Sequence, residues 1–270
     1  MKVLAFLLIV GLLNNPVIEN LQTSHYGDFN SANSINAQNI NVEKTTHSIS
    51  KDEQQEMLVD MYENIPQSEL EMFRKMSVIE IKEKLDSFQN RYEVGEPFTE
   101  KDQALLLYAY NEYGGGNLYS NNNAENKYRV PLEPIANSWN SYSVGSSKEK
   151  LGVKTTYKGT LKTYVNRTGG RYATDVKVTV NSGKRKIKSL KWKTYHSAYG
   201  VIGMSGKTPS LGIVYDGSIS SSSYTNTFSF EKTKNYTAVL PAYIKTWGKV
   251  FVRTTSGEYN YGTKVYSSWE

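Results

Sequence analysis

Asp175-Val-Lys-Val-Thr-Val-Asn-Ser-Gly-Lys-Arg-Lys-Ile-Lys-Ser-Leu-Lys-Trp-Lys-Thr-Tyr195 is the stretch that decides the fold. Val176, Val178 and Val180 alternate with polar residues, the period of a half-buried strand. Asn181-Ser182-Gly183 is turn chemistry, so the spacing predicts a hairpin in which Val180 opposes Arg185, Val178 faces Ile187 and Lys177 faces Lys188. Beyond Ser189 the apolar phase slips to Leu190 and Trp192, which predicts a β-bulge near Ser189. The returning strand carries Lys184, Arg185, Lys186, Lys188, Lys191 and Lys193 around Trp192, a cationic ribbon with an aromatic set in it.

The pattern continues on both sides. From Tyr128 onward nothing has a helical period. Strand-like runs recur at 150–157, 159–166, 171–180, 184–195, 211–216, 223–230, 236–246, 249–255 and 259–268. Many short strands separated by Gly- and Asn-rich turns predict an all-β antiparallel sandwich or barrel over residues 127–270. This segment holds 23 basic against 7 acidic residues, 14 tyrosines and all four tryptophans. Self-repulsion at a net charge of +16 destabilises a fold, so the excess points to an anionic partner. The competing reading of the ribbon alone is an edge strand that lysines protect from aggregation. Most of the aromatics are expected in the core or in cross-strand pairs.

Towards the N-terminus the chemistry inverts. Residues 51–112 carry 15 acidic against 7 basic residues and read as a small helical domain. Ser50-x-x-Glu53, Ser68-x-x-Glu71 and Ser77-x-x-Glu80 are capping boxes, and Thr99 with Asp102 is a weaker cap. Helices are expected at about 51–64, 69–75, 78–91 and 100–112, broken by Pro66, Ser77 and Gly95-Glu-Pro97. The Gly/Asn-rich run 113–126 reads as a linker. The chain as a whole is therefore α+β, a helical bundle followed by a β domain. Residues 25–50 read as a disordered spacer. The apolar run Val3–Leu13 after Lys2 is too short to span a bilayer and fits a secretory signal over 1–24, the alternative being a retained anchor.

The sequence has no cysteine, which excludes disulfides, thiolate nucleophiles and thiolate metal sites. Export without disulfides, in a chain rich in Lys, Asn and Tyr, suggests a Gram-positive source on composition alone. Gly200-Val-Ile-Gly-Met-Ser-Gly-Lys-Thr208 imitates a phosphate-binding loop, but its glycines are one residue too far apart and Pro209 follows in place of a helix. His196 with Asp175 or Asp216 offers an acid–base pair on paper, but no hydrolase motif accompanies it, so no catalytic residue is assigned. Ser218–Phe230 alternates only loosely, a weak match to a membrane-inserting hairpin. No cofactor or metal is implied.

These observations lead to an exported protein whose β domain binds an anionic cell-envelope component, a wall polymer or membrane surface. Lys184, Arg185, Lys186, Lys188, Lys191, Trp192, Lys193 and Trp247 are the expected contacts. The acidic helices are expected to touch and shield that surface, and nucleic acid binds only non-specifically. A membrane-inserting toxin or antibacterial factor is the first alternative, and a wall-acting hydrolase the second.

Overall fold

The structure is a computed structural model that describes residues 51–113, 139–166, 168–205 and 208–267. The expected signal, the spacer, the Ser50 cap and nearly all of the linker lie outside the described residues. Four helices come first: α1 (Lys51–Glu63), α2 (Gln67–Arg74), α3 (Val78–Ser87) and α4 (Glu100–Tyr113). The box at Ser77 closes α3: Glu80 N–H donates to Ser77 Oγ at 3.2 Å, and Ser77 N–H donates to Glu80 Oε2 at 2.7 Å. Thr99 caps α4 through Asp102 N–H at 3.4 Å. The box expected at Ser68 does not form. Pro66, with φ preset at −54°, starts α2 instead, and Ser68 falls inside its first turn.

Nine strands follow: β1 (Asn140–Lys150), β2 (Val153–Asn166), β3 (Gly169–Ser182), β4 (Ile187–Ser205), β5 (Thr208–Ser223), β6 (Thr227–Thr237), β7 (Val239–Thr254), β8 (Gly257–Gly262) and β9 (Tyr266–Ser267). They form two antiparallel sheets, ordered β1-β2-β3-β6 and β5-β4-β7-β8, with β9 added to β7. The sheets are open and share a core, which makes this part a β-sandwich. The expected pieces 150–157 and 159–166 belong mostly to β2, and 236–246 with 249–255 mostly to β7. β1 was not expected, because an edge strand that buries only Val144 has almost no apolar pattern to read.

The predicted hairpin does not exist. β3 pairs with β2 and β6, and Lys177 faces Lys158 and Ser229. Gly183 takes φ +73°, Lys184–Lys186 make one 3-10 turn, and the chain crosses into the other sheet. Crossing lets Val176, Val178 and Val180 pack opposite Leu190 and Trp192 across the sandwich, so both apolar sets are buried at once. The expected bulge is present: the register of β4 against β7 shifts between Ile187 and Ser189.

The helices share a second core with one end of the β5-β4-β7 sheet. Leu85, Phe88, Phe98 and most of α4 pack with Tyr199, Val201, Leu211, Ile213 and Tyr243. Tyr199 donates to the Leu85 carbonyl at 3.0 Å, and Lys245 Nζ donates to the Asp86 carbonyl at the same distance. The Gly95-Glu-Pro97 break lines the free edge of β5, where Gly95 N–H donates to Ile213 O and Phe98 N–H donates to Leu211 O. That seals an edge which would otherwise expose unpaired backbone groups.

Candidate anion-binding surface

The expected contacts divide into three groups. Lys184, Arg185 and Lys186 sit exposed in the crossover turn at the rim of the sandwich. Lys188 is exposed at the bulge. Lys191 and Lys193 share the outward face of β4, Lys191 exposed and Lys193 half-buried.

Trp192 is a correction. It points inward and is fully buried, its indole N–H lying 2.8 Å from Thr194 Oγ1 and 3.1 Å from Thr174 Oγ1, with its ring 5.0 Å from Tyr157. Gly248 provides the room, because a Cβ there would collide with the indole ring. Burial of so large a ring outweighs its position among lysines.

Trp247 belongs to the outward face. Register places Tyr195 opposite Trp247, Lys193 opposite Lys249, and Lys191 opposite Phe251. On the other side of β4, Ser218, Ser220 and Ser222 face the same three residues. Each row follows the next by two residues, ~6.6 Å along the strand. Tyr195 and Trp247 stack at 5.1 Å with their planes 8° apart. Lys193 Nζ lies 4.5 Å from the Tyr195 ring centre, and Lys245 Nζ lies 5.5 Å from that of Trp247. The ring faces are therefore occupied by each other and by ammonium groups, which leaves the electropositive ring edges for a ligand.

Lys193 opposite Lys249 is a like-charge pair, an arrangement that costs stability in a sheet. Among the described residues no salt bridge reaches Lys191, Lys193 or Lys249. Partial burial, followed by the charge of Lys191, lowers the pKa of Lys193, while Asp216 works in the opposite sense. The strip stops at Asp216, which accepts from Ser197 Oγ at 2.7 Å and Gln89 Nε2 at 2.8 Å and so marks the edge of the helix-covered half. The helices cover β4 near Tyr199 and Val201, which at ~3.3 Å per residue is roughly 25 Å from Lys191.

Sequence reading missed Lys249 and Tyr195. The signal was there: Trp247-x-Lys249-x-Phe251 has the same two-residue period as Lys191-x-Lys193-x-Tyr195, and only the pairing of β4 with β7 brings the two runs side by side. His196 lies on the opposite face of β4, fully buried, with Nδ1 3.0 Å from Thr246 Oγ1 and its ring stacked on Tyr172 at 4.6 Å. Burial pulls its pKa down to about 3. Asp216 and Asp175 both point to the outer faces of their sheets, so the acid–base pair considered from sequence does not assemble.

No known protein family matches the sequence. No curated protein matches it either. Among solved structures the chain is similar to the X-ray structure of Northeast Structural Genomics Consortium target SoR45, at 14% identity over 48% of this chain and 86% of that one, with a TM-score of 0.19, a likeness too slight to carry any argument.

Proposed function

We propose that this chain is an exported protein whose cationic β-sandwich binds an anionic component of the cell envelope, with Lys191, Lys193 and Lys249 as the central contacts. The observation that carries the reading is the like-charge pair Lys193–Lys249, held in register beside Lys191 with no salt bridge to a carboxylate among the described residues. A bound anion relieves that repulsion and meets ring edges and serine hydroxyls at the same time. Lys184, Arg185, Lys186 and Lys188 extend the positive field around the rim and favour encounter with a long polyanion. In this reading the helices brace the sheet behind the Asp216 boundary, and the strip beyond it is what the polyanion meets.

Binding of the full chain to purified cell walls and to anionic vesicles tests this. Cations near an anionic surface contribute about 1 kcal/mol each, so changing Lys191, Lys193 and Lys249 to Gln should weaken binding by about two powers of ten and flatten its salt dependence. Changing Lys148, Lys150 and Lys154 on the other sheet, which face Thr155, Val153 and Glu149, removes the same charge and should weaken it far less. Equal losses in the two variants, or binding that persists in about 1 M salt, where the Debye length is ~3 Å, would overturn the reading.

A further inference from the structure

We propose a second binding site on the outer face of the β1-β2-β3-β6 sheet. Its cleft takes an amino sugar, the ring lying against Trp139 and the ammonium between Asp175 and Glu231. This site does not depend on the polyanion reading.

The cleft encloses about 430 Å³ and is lined by Trp139, Ser141, Lys162, Asp175, Glu231 and Thr233, with Ala173 in its floor. Pockets of that size suit small ligands or single units of a longer one. Register builds it from two adjacent rows, Lys162–Ala173–Thr233 and Thr160–Asp175–Glu231. The small Ala173 between two longer neighbours makes the depression. Trp139 is 39% exposed, and its orientation is set from one side by Arg171 at 5.5 Å and Tyr164 at 5.9 Å. A large aromatic held in place and left open to a polar cleft suits the apolar face of a sugar ring.

The carboxylates decide the ligand's charge. Asp175 and Glu231 are directly opposed across β3 and β6, which places their Cβ atoms ~4.5–5.5 Å apart and makes them another like-charge pair that costs stability. Both are exposed, and among the described residues neither forms a salt bridge. Lys162 lies one row away on one side and Lys177 one row away on the other, so the carboxylates are a negative spot on a positive surface. A polyanion is excluded from such a spot. An ammonium group between the two carboxylates relieves their repulsion, and Ser141, Thr233 and Lys162 remain to hydrogen-bond ring hydroxyls.

The test uses the full chain at about pH 6, below the ~8 typical of an activated amine. Glucosamine tetramer, its N-acetylated form and a glucose tetramer are titrated by calorimetry. The free-amine form should bind about tenfold or more tighter than the other two. Asp175→Asn with Glu231→Gln should abolish that preference, and Trp139→Ala should weaken all three ligands, with near-UV circular dichroism reporting that the fold is kept. Trp139→Phe should restore part of the affinity. Polyanion binding by the opposite sheet should be unchanged in every variant, so the two readings fail separately. Equal affinity for amine and acetyl forms, an amine preference that survives the double change, or no saturable binding would overturn the proposal.

Discussion

The two halves of one sheet face give the clearest lesson in this molecule. Along β4 the first half alternates: Lys191, Lys193 and Tyr195 face solvent while Trp192, Thr194 and His196 face the sandwich core. From His196 to Val201 every residue is buried, because the helices cover the outer face there. β7 repeats the contrast, with Trp247, Lys249 and Phe251 accessible and Leu240–Thr246 wholly buried. A strand with one wet face must alternate, and a strand covered on both faces need not. The same two strands thus act as a binding surface at one end and as core at the other.

Substitutions that trade one half for the other should separate them most strongly. Tyr199 is fully buried against Phe88, Phe98 and Tyr243, so Tyr199→Ala should cost about 3–5 kcal/mol in denaturant unfolding. Tyr195→Ala, four residues earlier on the same outward face, should cost under ~1 kcal/mol because the ring is only half-buried. Equal costs would mean that the helices do not cover the sheet as described.

A smaller effect belongs to His196, the residue where alternation gives way to continuous burial. Its pKa is about 3 in the fold against an ordinary 6.5, so between these values the unfolded chain binds the extra proton. Stability should therefore fall as pH drops below 6.5, at up to ~1.4 kcal/mol per pH unit, or roughly 2–3 kcal/mol by about pH 4.5. His196→Gln should flatten this part of the profile. An unchanged slope in the variant would assign the acid sensitivity elsewhere.

A smaller effect than that of His196 is expected at Ser77, whose cap fixes the start of the helix that seats on the covered half. Ser77→Ala should cost about 1 kcal/mol, read as a lower midpoint of thermal unfolding. Polyanion binding by the open half should stay as it was. A matching loss of binding would couple the two halves.

Much of this was legible in the residues. The helix breaks at Pro66, Ser77 and Gly95-Glu-Pro97, the period-two runs from Val153 onward and the slip of phase at Ser189 all reflect local sterics and capping, which act within a few residues. The run from His196 to Ser205 was not legible as strand, because a stretch covered on both faces has no alternation to read. What the chain could not declare locally is which strands lie side by side. A turn such as Asn181-Ser182-Gly183 permits both a hairpin and a crossing between sheets, and the choice depends on whether Trp192 buries more surface against Tyr157 across the sandwich than a hairpin would allow. For the same reason Trp192 left the expected surface while Tyr195 and Lys249 joined it, and Asp175 met Glu231 from 56 residues away. Composition determined that residues 127–270 carry strong positive charge. Register, set by burial summed over both sheets, decided where that charge is concentrated and where it gives way to a pair of carboxylates.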